Sequence, residues 1–128
     1  MTTARGEFDV KLSPQEDEAR FASGRMTIDK TFRGDLTGNS TGQMLSFLNA
    51  ARDSGGYVAI ERVTGTLHGK AGSFAFQHGS TMARGAQHQS VIVVPGSGEG
   101  ELAGLTGTLT IEIKDKQHFY VFEYHLEP

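Results

Sequence analysis

Apolar residues recur at every second position along most of this chain, the period of a strand with one buried face. Residues 7–12 place Phe8, Val10 and Leu12 on one side. Residues 13–18 are polar and contain Pro14, which predicts a loop. A second strand is expected from about residue 21 to residue 32, with Met26, Ile28, Lys30 and Phe32 sharing a face. Gly34-Asp35 and Gly38-Asn39 then read as turn or bulge positions.

Residues 43–51 fit two descriptions. Met44, Phe47, Leu48 and Ala51 follow helical spacing, yet Asp53-Ser54-Gly55-Gly56 is a hairpin signal that suits a strand. From Tyr57 the alternation is regular. Strands are expected at 57–68, 73–78, 89–94, 108–114 and 119–126. Turns are expected at 69–72 and 115–117, and a polar loop containing Gly79 and Gly85 between the 73–78 and 89–94 strands. Pro95 ends the 89–94 run, and 96–107 is a glycine-rich excursion with room for one helical turn around Glu101-Leu102-Ala103.

About eight strands with short links, and no helix long enough to cover a sheet, predict an all-β protein. Such a sheet hides its edges by closing on itself or by stacking as two layers, and closure into an antiparallel β-barrel is the expected outcome. The 128 residues fit one domain, 1–128. The hydrophobic share of 37% is low, but 17 glycines spaced between apolar runs account for it as turn residues rather than as a disordered tract.

Charge narrows the partners. The net charge is −3 and the basic residues are dispersed, so no surface is concentrated enough to displace counterions from nucleic acid. No run approaches the roughly 20 apolar residues that span a bilayer, so no membrane partner is expected. Residues 1–12 hold no secretory apolar stretch, which points to a cytoplasmic location. With no cysteine, disulfides, thiolate metal sites and cysteine nucleophiles are excluded together.

Three motifs fail on inspection. Gly98-Glu99-Gly100-Glu101-Leu102-Ala103 matches the dinucleotide-binding glycine spacing, but two carboxylates would meet the pyrophosphate and no βαβ unit surrounds it. Five histidines (His68, His78, His88, His118, His125) include no pair separated by a single residue, so no metal is expected. Gly96-Ser97-Gly98 is too short for a nucleophile elbow. No cofactor signature remains.

The stronger signal is polar residues in phase with apolar ones. Glu61 shares a face with Tyr57, Ala59 and Val63, and Lys30 shares one with Met26, Ile28 and Phe32. His78 follows Phe74 and Phe76, and Tyr120 lies between His118 and Phe122 in the same way. If those faces point inward, they gather a carboxylate, an amine, an imidazole and phenols among aromatic rings, where burial demands pairing. Glu61 is expected inside, with His78 or Tyr57 within hydrogen-bonding reach.

The segments Gly24-Arg25-Met26 through Gly34-Asp35-Leu36-Thr37-Gly38, Gly56-Tyr57-Val58-Ala59-Ile60-Glu61-Arg62-Val63-Thr64-Gly65-Thr66-Leu67 through Gly72-Ser73-Phe74-Ala75-Phe76-Gln77-His78, and Val94-Pro95-Gly96 through Leu105-Thr106-Gly107 resemble the bacterial family catalogued as domain of unknown function 3224. The resemblance implies a closed eight-stranded antiparallel barrel similar to allene oxide cyclase and dirigent proteins. It also implies a strand rather than a helix at 43–51. It brings no activity. Tyr57, Glu61, Gln77 and His78 fall inside the motif and are candidate ligand-binding residues by location; Lys30 and Tyr120 join them on strand phase alone.

Three functions compete. The first is a barrel that binds an apolar small molecule. The second is a cyclase or isomerase, with Glu61 as charge stabiliser or proton acceptor and His78 or Tyr57 as hydrogen-bond donor. The third is a filled barrel acting through its outer wall. Val58, Ile60, Val91 and Val93 give some strands two apolar faces, so a homo-oligomer, with a dimer favoured, is expected.

Overall fold

In the computed structural model, residues 1–16 and 24–127 are described. They form nine strands: β1 (Thr2–Gln15), β2 (Gly24–Gly34), β3 (Leu36–Leu48), β4 (Ser54–Leu67), β5 (Lys70–Ala83), β6 (Ala86–Val93), β7 (Glu99–Gly100), β8 (Thr106–Lys114) and β9 (Gln117–His125). The ladder runs β4-β3-β2-β1-β9-β8-β6-β5, and a β4–β5 pairing closes it. The two-residue β7 pairs only with the start of β5, so eight antiparallel strands make the barrel wall. No helix is present among the described residues, and none is therefore long and apolar enough to cross a membrane.

Three hairpin turns share one chemistry. His68-Gly69, Arg84-Gly85 and Asp115-Lys116 all have positive φ at both residues. That backbone twist matches the twist of the flanking strands. Gly34, at φ +104°, turns β2 into β3.

Residues 43–48 are strand, the alternative that the hairpin signal favoured; the turn itself falls at 49–53, where Asn49 Oδ1 accepts from the backbone N–H groups of Asp53 and Ser54. Two expected loops are instead strand. β1 continues through Ser13, Pro14 and Gln15, having parted from β9 after Phe8. With a neighbour on one side only, this stretch tolerates a proline. β5 and β6 run through residues 79–83 and 86–88, where every side chain from residue 81 to residue 90 is exposed. Those strands project past the core, so neither face needs to be apolar and the alternation vanishes. Glu101–Leu105 forms consecutive tight turns, not a helix. The expectations at residues 17–18 and 21–23 lie outside the described residues.

The barrel is filled at one end. Leu36, Leu67, Phe74, Phe122 and Tyr124 are buried there with Leu102 and Leu105, which the 94–105 segment contributes. Gly72 leaves the space that Leu102 occupies: a Cβ at Gly72 would lie 3.1 Å from Leu102 Cγ. Among the described residues the opposite end, bearing the 49–53, 84–85 and 115–116 turns, holds a cavity.

Candidate functional site

Glu61 is fully buried in the middle of β4. Lys30 Nζ lies 2.8 Å from its Oε2, Ser40 Oγ donates to Oε1 at 2.8 Å, and His78 Nε2 abuts Oε2 without being aligned as a hydrogen-bond donor. Lys30 and His78 are themselves only 8% and 5% exposed.

Register explains how four strands deliver these groups. Ala59 pairs with His78 and Glu61 with Phe76, so Glu61 and His78 meet diagonally on the inner face. Ser40 pairs with Lys30 on one side and Val63 on the other, while Gly42 lies opposite Glu61. Lys30 must therefore reach across β3 to touch a residue on β4, a span of about 9.6 Å for two strand spacings. It can do so because β3 presents only a serine and a glycine along that path. A Cβ at Gly42 would stand 2.7 Å from Glu61 Cβ, in the space the carboxylate arm uses.

Burial by itself would raise the Glu61 pKa. The contact with His78 and the charge of Lys30 outweigh it and bring the carboxyl down from 4.5 to about 2. Glu61 is thus ionised near neutral pH and a weak base. Lys30 also packs over the rings of Phe8 and Phe32, at 4.8 and 5.9 Å.

Above this cluster lies a cavity of about 290 Å³. Its apolar wall comes from Phe8, Val10, Leu12, Ile28, Met44, Ile111 and Ile113. Its polar groups are Lys30, His78, His118, Tyr57, Gln87 and Gln89. Glu61 does not reach the surface of the cavity; it stands behind Lys30 and His78. Gln89 Nε2 donates to Tyr57 OH at 3.2 Å near the rim. Hollows of about 550 and 580 Å³ are open grooves lined mainly by outward-facing residues, and His78 also borders the second.

Of the six residues singled out from the sequence, Lys30, Glu61 and His78 meet, and Tyr57 stands on the same cavity. Two do not belong. Gln77 is exposed on the outer wall, paired between Ile60 and Ile92, because it neighbours the inward His78 and so points the other way. Tyr120 is inside but at the filled end. Its hydroxyl accepts from Leu36 N–H at 2.9 Å and donates towards Arg33 O at 2.9 Å, tying β9 to the β2–β3 turn. It fits there because Gly6 has no side chain: a Cβ would be 2.5 Å from the Tyr120 hydroxyl. Ser40, Gln87, Gln89 and His118 were missed as site residues. For Ser40 and His118 the signal was present, as polar residues in phase with Leu36 and Met44 and with Tyr120 and Phe122 respectively.

The family profile described as "Protein of unknown function (DUF3224)" matches residues 4–124. This chain belongs to the DUF3224 family. A crystal structure of a protein with unknown function from the DUF3224 family of Shewanella oneidensis MR-1 is similar to it, with 48% identity, covering 100% of this chain and 99% of that one, at a TM-score of 0.94. No curated protein matches the chain. This DUF3224 barrel therefore has its fold in common with a solved relative, while its site rests on its own residues. Among the described residues no group of three or more histidines or carboxylates is placed to hold a metal ion.

Proposed function

We propose that this DUF3224 protein binds a small organic molecule in the hollow half of its barrel. The observation that carries this reading is the cavity of about 290 Å³, apolar along its wall and ending on the buried Lys30–Glu61–His78 cluster. Pockets for small molecules combine such a wall with a few polar groups that fix orientation. An eight-stranded barrel has room for one such ligand. The filled end supplies rigidity, and the cluster supplies direction.

Binding is favoured over a cyclase or isomerase in which Glu61 accepts a proton. A carboxylate with a pKa near 2 that does not reach the cavity is poorly matched to general-base work near neutral pH. Native mass spectrometry of freshly purified protein tests the binding reading. The expected result is a bound adduct of small-molecule mass that is released on unfolding. Protein that carries no adduct and takes up none from a panel of apolar and amphipathic compounds would overturn it.

A second proposal concerns the outer wall. Phe47, Val58 and Ile60 are each about 60% exposed, and Ile92 adds to the same face through the Ile60–Gln77–Ile92 row. Val91 and Val93, expected to contribute, face inward. Gly79, opposite Val58, leaves a shallow hollow beside them. Apolar surface of this kind is covered when two copies associate. Sedimentation at micromolar concentration should show a dimer that Val58→Lys/Ile60→Lys converts to monomer; a wild-type monomer would count against it.

A further inference from the structure

The geometry points to the class of molecule the cavity takes: an amphipathic organic anion, its carboxylate on Lys30 and His78 and its apolar body along the β1, β2 and β8 wall. This rests on the reading that the cavity binds a small molecule, and goes beyond it in fixing the sign of the ligand's charge. Among the described residues, Lys30, His78 and His118, which can carry positive charge, line the cavity, and no aspartate or glutamate does. Glu61, the carboxylate in contact with Lys30 and His78, is fully buried behind them. A ligand therefore meets the positive end of the Lys30–Glu61 pair and not the negative end.

Hydrogen-bond supply agrees. An ammonium has three N–H donors. Glu61 takes one from Lys30 at 2.8 Å, and no second protein acceptor for Lys30 is present among the described residues. The Phe8 ring lies 4.8 Å away, which favours the charge but does not fill the donors. Charge-assisted hydrogen bonds to a carboxylate are the strongest that the remaining Lys30 donors can make, so an anionic head group is favoured at this point. A cationic head group would face Lys30 at close range, with no carboxylate among the described cavity-lining residues to answer it. A neutral alcohol would bury the same apolar body and leave the charge unanswered.

The test is calorimetric titration of the full-length protein with octanoate, octanol and octylammonium, whose apolar chains match and whose head groups differ. Octanoate should bind about tenfold or more tightly than octanol, with octylammonium weakest. Lys30→Met alone would leave Glu61 without its ammonium partner and lower stability, which would blur the binding readout. The variant to use is therefore Lys30→Met/Glu61→Gln, which removes the pair together. It should lose the preference for octanoate, the two compounds then binding within about threefold of each other. Octanol binding as tightly as octanoate, or a preference that survives in the double variant, would overturn the anion assignment while leaving the cavity a binding site. If none of the three binds, the binding reading fails with it.

Discussion

Lys30→Met should lower the free energy of unfolding by about 3–5 kcal/mol, the range found when one partner of a buried ion pair is removed. The substitution preserves apolar volume. What it removes is the charge that balances Glu61, whose side chain has no access to water. Ser40 and His78 stay in contact with the carboxylate, so the chain is expected to fold, but at reduced stability. In Lys30→Met/Glu61→Gln most of the loss should be recovered, because neither desolvated charge remains. Urea unfolding monitored by circular dichroism measures both. A single variant within about 1 kcal/mol of wild type would mean that the buried pair contributes little.

Acid should act on the same group, and the sign follows from proton binding. The Glu61 carboxyl has a pKa of about 2 in the folded protein against 4.5 without its surroundings. Between those values the unfolded chain binds the proton and the folded one does not, so stability falls as pH drops through this window. Above it the contribution is complete and is on the order of 3 kcal/mol. The double variant should lack this component of the acid sensitivity. Equal slopes of stability against pH between 4.5 and 2 in the two proteins would contradict the assignment.

Gly42→Ala should be the most damaging one-carbon change at the site, at about 2–3 kcal/mol. A Cβ there would stand 2.2 Å from Ile60 O and 2.6 Å from Glu61 Cα. Both are backbone atoms of the paired strand, so no rotamer relieves the clash, and β3 and β4 must separate. Separation occurs where Ser40 holds Glu61 and where Lys30 crosses β3 to reach it. The variant should therefore lose stability and binding together. Gly69→Ala, by contrast, has open space around the added carbon and carries only the strain of its positive φ. Thermal unfolding that ranks Gly69→Ala as more damaging than Gly42→Ala would reject this account.

Most of the strand positions were legible in the sequence, because alternation follows directly from a wall with one wet and one dry face. Lys30, Glu61 and His78 were legible for the same reason: each is a polar residue in phase with buried apolar neighbours. Alternation failed where its cause was absent. At residues 81–90 both faces are solvated, so the strands look like loop, and Pro14 marked a break that a one-sided strand did not need.

Only the tertiary structure decided which residues meet. Phase places a side chain on a face but gives no height along the barrel, and height depends on inter-strand register. Tyr120 and Lys30 are equally in phase, yet register sends one to the filled end and the other to the cavity. Gln77 adjoins His78 in the chain and is separated from it by the thickness of the wall. The Lys30–Glu61 contact crosses an intervening strand and depends on a glycine in that strand, so no local pattern encodes it. The chain by itself determined an all-β wall and which residues share a face; closure, register and the choice of inner face decided that three of them form one ion cluster beneath a cavity.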